Sequence, residues 1–305
     1  EDLIRNGSPV VLMMPLQFPA RERWETWEAL PDVPPGQDVI GAAVVRLLAL
    51  EADGLLDRVL LVRSAPTDPA GLRAAFAAAR DRFGRVRGVF HTAGAFTGGL
   101  ILLKTPEALF AAVDPAVRGA RVLLAAVNGE PEPPDFVLFS SSTLSVTGGL
   151  GQIDHAAAGC FLEALALRLA AEGFRGNAVA VHWDPYQWGG WLAGAAGGAA
   201  GLTPEEMAGN LATFGVPSGA SGEALERLLA AGLPACAVST RDLGYLIRET
   251  DTLSLQALSG QVGHGPREMH SRPGLSTPYA PPGDELEEKL AGLWQDLFGI
   301  APIGV

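Results

Sequence analysis

Cysteine is scarce. Cys160 and Cys236 are the only two in 305 residues, and their separation fits neither a metal-ligand pair nor a redox pair. Cys160 falls on an apolar helical stretch and reads as a small buried hydrophobe. Charge is also sparse, at 18%, and unbalanced: 22 Lys and Arg stand against 34 Asp and Glu, a net charge of −12. An acidic chain of this kind excludes nucleic acid or an anionic membrane as its main partner. No run approaches the ~18–20 apolar residues of a membrane span. The opening EDLIRNGS is not a signal peptide, so a soluble, cytoplasmic protein is expected. His264 and His270 have no nearby Cys, and with Glu268 the one acidic residue between them they define no metal site. A glycine-rich phosphate turn is missing too: Gly7, Gly36 and Gly41, the glycines nearest the front, make no G-x-G-x-x-G.

What is present is apolar and regularly patterned. Hydrophobic residues make up 48% of the chain, ample for a core. Short apolar runs at residues 10–13, 59–62, 88–91, 136–139, 178–181 and 236–239 alternate with Ala/Leu-rich stretches. Continuous apolar runs of this length, separated by helices, predict parallel strands buried on both faces. Helix starts are marked at Asp68-Pro69, Thr105-Pro106 and Thr203-Pro204, each a capping side chain before a proline at the first helical position. Glu206 completes a capping box with Thr203. The fold class is α/β, a Rossmann-like doubly wound parallel sheet.

The front of that fold is incomplete. Residues 2–7 read as the end of a first helix and residues 10–13 as the second strand, so the first strand and its glycine-rich turn are missing from the chain. That strand lies mid-sheet in the doubly wound order. Without it, either preceding residues complete the sheet or the strands close up. At the other end, residues 259–282 form a linker rich in Gly, Pro, Ser and His, and residues 193–201 are a low-complexity Gly/Ala loop. A final amphipathic helix follows, with Leu286, Leu290, Leu293, Trp294, Leu297 and Phe298 on one face. The expected organisation is a domain over 1–258, a linker over 259–282 and the helical segment 283–305.

Six motifs carry a resemblance: GVFHTAG (88–94), GGLILLKTPEALF (98–110), DFVLFSS (135–141), GGLGQIDH (148–155), VHWD (181–184) and PACAVSTRDL (234–243). In wording and order they resemble the ketoreductase domain of modular polyketide synthases and hybrid polyketide–nonribosomal peptide synthases, within the short-chain dehydrogenase/reductases. The tail, STPYAPPGDELEEKLAGLWQDLFGI (276–300), resembles the junction into a carrier-protein domain and stops within its first helix.

The resemblance implies a catalytic set that this chain has largely lost. The family's tyrosine, thirteen residues after its serine, corresponds to His155, with Ser142 at the serine position and Ser141 as a neighbouring candidate. The asparagine corresponds to Gly159. The lysine, in DPAVRGA (114–120), corresponds to Ala116, and Lys104 belongs to a different part of the motif. On the cofactor side, the arginine position is Pro15 and the aspartate position Ala65. His91, Ala93 and Gly94 of HTAG persist and serve backbone geometry. Ketone reduction needs a hydride donor and an acid tuned by a nearby cation, so these losses imply a pseudo-ketoreductase without a cofactor. Its implied partners are the acyl carrier protein and neighbouring megasynthase domains, such as a methyltransferase or dehydratase. The alternative is an NADPH-dependent β-ketoacyl reductase in which His155 and Ser142 do the proton work. Trp183, Trp188 and Trp191 stand where the family's substrate lid begins, as packing or as an acyl groove. Asp154, His155 and Ser142 do not make a hydrolytic triad, because adjacent residues on one turn cannot both face the serine.

Overall fold

The computed structural model describes residues 2–15, 18–25, 39–94, 101, 104–149, 151–187, 204–217, 219–251, 270–272, 279–298 and 300–304. Trp188, Trp191, His264, the capping residue Thr203 and the loop over 193–201 lie outside them. The chain divides into two compact units, residues 1–247 and 248–305.

Strands of the first unit fall where the apolar runs predict: β1 (Val10–Met14), β2 (Val59–Arg63), β3 (Gly88–His91), β4 (Phe136–Ser142), β5 (Asn177–Trp183) and β6 (Ala235–Val238). They form two parallel sheets, β1-β2 and β3-β4-β5-β6. β1 pairs with β2, β3 pairs with β4, and no ladder joins β1 to β3 among the described residues. The helices are α1 (Asp2–Arg5), α2 (Val39–Ala52), α3 (Pro69–Phe83), α4 (Pro106–Asn128), α5 (Leu144–Thr147), α6 (Ile153–Ala171), α7 (Pro204–Phe214), α8 (Ala220–Ala231) and α9 (Leu243–Asp251), the last running past the unit boundary. The predicted caps form: the Asp68 side chain accepts from Ala70 N at 3.0 Å and Thr105 Oγ1 from Ala108 N at 3.2 Å.

Alternation along the central strands builds a layer on each face. Val137, Phe139, Ala178 and Ala180 join Leu72, Phe76, Leu123, Val127 and Leu162 of α3, α4 and α6 in one cluster. Leu138, Val179, Val181 and Trp183 point the other way, onto Leu225, Leu228 and Leu229 of α8. Burial of Leu162, on the small-residue face of α6, contributes about 2 kcal/mol. Val44, Leu47 and Leu50 of α2 cover β1 and β2 in a third cluster with Trp24 and Val59. The two sheets communicate through α3, and Met13 of β1 packs on the main core.

One reading is corrected. Cys160 is exposed, because α6 is apolar around much of its circumference and Ala158, Gly159 and Leu162 take the inward positions. The outward side of the helix also carries exposed Leu167. No helix is long and apolar enough to cross a membrane, and no metal-binding cluster occurs, among the described residues.

The second unit holds β7 (His270–Ser271) paired parallel with β8 (Ile300–Ala301), and α10 (Glu285–Phe298). Asp284 opens α10 by accepting from Glu287 N. Leu286, Leu290, Leu293, Trp294 and Phe298 are all exposed, and the Trp294 and Phe298 rings stack at 5.4 Å.

Candidate functional site

In a parallel α/β sheet, ligands bind beyond the carboxyl ends of the strands. Here that edge is built from His91, Ser140 to Ser142 and His182 to Asp184, with the start of α6 above them. Pairing of β4 with β5 continues past the apolar run, bringing Ser140, Ser141 and Ser142 opposite Val181, His182 and Trp183. Three serines are thus held as strand, not loop.

Strand parity separates the two candidate serines. Ser141 shares the face of Val137 and Phe139, toward α6, and its Oγ lies 2.8 Å from Ser145 Oγ. A Cβ built on Gly159 would lie 2.5 Å from Ser141 Oγ and would also overlap Ser145 Oγ. Gly159 therefore makes the room that the serine pair fills. Ser142 instead accepts a hydrogen bond from Leu144 N at 3.2 Å and holds the turn into α5.

His155 is buried near the start of α6, and burial pushes its imidazole down to about 4, against a smaller opposing pull from Asp154. Near pH 7 about one molecule in a thousand would carry the imidazolium. Asp154 is fully buried and faces Lys104, whose Nζ lies 3.1 Å from Oδ2. Its Oδ1 accepts from His155 N. The Lys104 ammonium is thus engaged with a buried carboxylate. Ala116 is buried in α4, and its carbonyl accepts from His91 Nε2 at 2.9 Å. The His91 imidazole, packed edge-on against Phe139, is held below its ordinary value by burial. His91 therefore faces α4; Ala93 is half-buried and Gly94 exposed. Pro15 is exposed just after β1, and Ala65 is half-buried beyond β2. Trp183 is buried and packs on Tyr186 at 5.6 Å, and burial raises the Tyr186 phenol to about 12.

Two polar constellations escaped sequence reasoning. The Asp184 carboxylate, 1% exposed, accepts from Thr143 Oγ1 at 2.8 Å, Ser239 Oγ at 2.6 Å and Thr240 N at 2.9 Å. It ties the ends of β4, β5 and β6 together. The other links Ser141, Ser145, His182 and Glu163: Ser145 Oγ lies 3.1 Å from His182 Nδ1, and Glu163 Oε2 lies 3.4 Å from His182 Nε2. The only hint in the sequence was the presence of polar residues at strand ends in an otherwise apolar frame.

Comparison with known proteins places the site in context. Residues 40–187 match the KR domain family. The chain is 34% identical over 212 residues to the polyketide synthase GfsE of Streptomyces halstedii, covering 68% of this chain and 5% of that protein. It is 30% identical over 189 residues to a 6-methylsalicylic acid synthase of Aspergillus terreus, covering 61% of this chain and 10% of that one. The chain thus spans a small fraction of the length of these relatives. Among solved structures, a ketoreductase domain from the bacillaene assembly line superposes with a TM-score of 0.58 at 20% identity, covering 81% of this chain and 53% of that one. An alcohol dehydrogenase from Thermococcus sibiricus superposes at 0.53 and 15% identity, covering 78% and 88%. The chain carries a KR domain of the polyketide synthase type, on the parallel α/β fold of the short-chain dehydrogenase/reductases.

Proposed function

We propose that this KR domain is non-catalytic and is kept in a polyketide synthase module as a scaffold for neighbouring domains and the acyl carrier protein. The observation that carries this reading is the loss of charge at both positions where the chemistry needs a cation. Ala116 is buried, with its carbonyl occupied by His91, and Pro15 stands beyond β1. An NADPH phosphate would meet no cation at Pro15, nor the adenine a carboxylate at Ala65, so the residues present do not fit that cofactor. Lys104, which belongs to a different part of the motif, is ion-paired with the buried Asp154. The packing that a scaffold needs is intact on both faces of β4 and β5.

In this reading the segment over 283–305 is the entry to a carrier domain, and the exposed apolar stripe of α10 is the part that domain would cover. The multidomain synthase relatives support neighbouring megasynthase domains as partners, and a cytoplasmic location is part of the same proposal.

Titration with NADPH by calorimetry tests the proposal, on this chain and on a version preceded by a strand and glycine-rich turn. No heat of binding at millimolar cofactor in either is the expected result. Tight binding to the second, with reduction of a carrier-bound β-ketoacyl thioester, would overturn it in favour of an NADPH-dependent reductase.

A further inference from the structure

The Ser145 hydroxyl has three partners: Ser141 Oγ at 2.8 Å, the Ser142 carbonyl at 2.5 Å and His182 Nδ1 at 3.1 Å. A hydroxyl owns a single hydrogen. The Ser142 carbonyl can only accept, so the hydrogen of Ser145 goes there. Ser145 Oγ must then accept from Ser141 and from an N–H at Nδ1 of His182. This fixes the ring: Nδ1 is protonated, and Nε2 is the nitrogen left over. Nε2 is buried without a hydrogen-bond partner of good geometry, and it looks onto the Glu163 carboxylate at 3.4 Å. His182 itself is 3% exposed, whereas the Glu163 side chain is 36% exposed.

Hydrogen bonding removes one reading of this Ser–His–Glu series. With its hydrogen given to the Ser142 carbonyl and Nδ1–H of His182 donating to it, Ser145 Oγ has no base to activate it and is not a nucleophile. The arrangement can still move protons. We propose that Glu163, His182, Ser145 and Ser141 form a proton path from solvent to the hydroxyl at the end of β4.

The balance is simple. When an acceptor oxygen draws the Ser141 hydrogen away from Ser145, the Ser145 hydroxyl turns from the Ser142 carbonyl to Ser141, its proton passes to Ser141, and the Nδ1 proton of His182 moves to Ser145. Nε2 takes a proton arriving through Glu163 from water. One proton enters, one leaves, and nothing is oxidised or reduced. Across the sheet His182 is in register with Ser141 on β4 and Ala237 on β6. Asp184 is committed to Thr143, Ser239 and Thr240. Glu163 is thus the ionisable side chain facing the ring among the described residues.

The path bypasses position 155. A histidine in place of the family's tyrosine does not by itself empty the site of acid chemistry, and the scaffold reading rests on the cation and cofactor positions. The two proposals fail separately, because this one is read without a cofactor. In the 15N-histidine-labelled chain, NMR should show His182 protonated at Nδ1. Glu163→Gln, at a partly exposed position that leaves the core untouched, should slow exchange of that ring proton with water several-fold. Ser145→Ala should displace the Nδ1 resonance, and Glu172→Gln, at the far end of α6, should change neither. A His182 protonated only at Nε2, or an exchange rate unmoved by Glu163→Gln, would overturn the path.

Discussion

Replacing Asp184 with alanine should be among the most damaging single changes in this chain. Its carboxylate is buried and takes three good hydrogen bonds, from Thr143 Oγ1, Ser239 Oγ and Thr240 N. Hydrogen bonds to a charged group are each worth about 1.5–3 kcal/mol, and donors left buried without an acceptor add a desolvation penalty. The contributions do not add fully, because the two hydroxyls can turn toward other acceptors while the Thr240 N–H cannot. The expected loss is about 3–5 kcal/mol. For a unit of this size, that lowers Tm by roughly 6–20 °C. Asp184→Asn keeps one acceptor oxygen and should lose only about 1–2 kcal/mol. Urea denaturation followed by tryptophan fluorescence reads both, since Trp183 is buried one residue away. The midpoint should fall with an unchanged slope. A loss below about 1 kcal/mol for Asp184→Ala would refute the idea that this carboxylate pins the three strand ends.

Other outcomes follow from the same geometry. His155 is held down at about 4 in the folded chain, against about 6.5 unfolded. Its contribution is therefore complete above pH ~6.5 and is lost as pH falls through about 4, by up to roughly 3 kcal/mol. Denaturation at a series of pH values should show this fall in wild type and a flatter profile in His155→Gln; His91, lowered in the same direction, supplies part of what remains. Gly159→Ala should destabilise by about 1–3 kcal/mol through overpacking against the serine pair. Adding Ser145→Ala should recover part of that loss in a double-mutant cycle. His155→Tyr should create neither NADPH binding nor ketone reduction, because Ala116 and Pro15 are untouched; turnover by that variant would refute the proposed inactivity.

The strands were legible because each interior run is continuously apolar, and the first four begin at the residue the pattern indicates. Their far ends were not. β4 runs three residues beyond Phe139 because backbone pairing with β5 continues under serines, and hydrophobicity cannot signal that. The same extension decides which serine faces α6: period-two alternation from Val137 and Phe139 selects Ser141, once the strand is known to persist. The Asp68 and Thr105 caps were readable as local chemistry. The Lys104–Asp154 and His182–Glu163 pairs were not, because they join residues 50 and 19 positions apart whose meeting depends on the packing of α6. Exposure of Cys160 escaped for a related reason: a helix apolar around most of its circumference does not announce which side is inward.

The division of the strands into β1-β2 and β3-β4-β5-β6 bears on how the domain breathes. A pair of strands shares a single ladder, whereas β4 and β5 each have neighbours on both sides. The smaller sheet is joined to the larger by side-chain packing, chiefly along α3, and side-chain contacts loosen more readily than a continuous ladder. Amide hydrogens of β1 and β2 should therefore exchange through a local opening well below the global unfolding free energy, while those of β4 and β5 exchange only when the whole domain opens. The chain would behave as two cooperative units of unequal tenacity, with α3 as the seam along which they part.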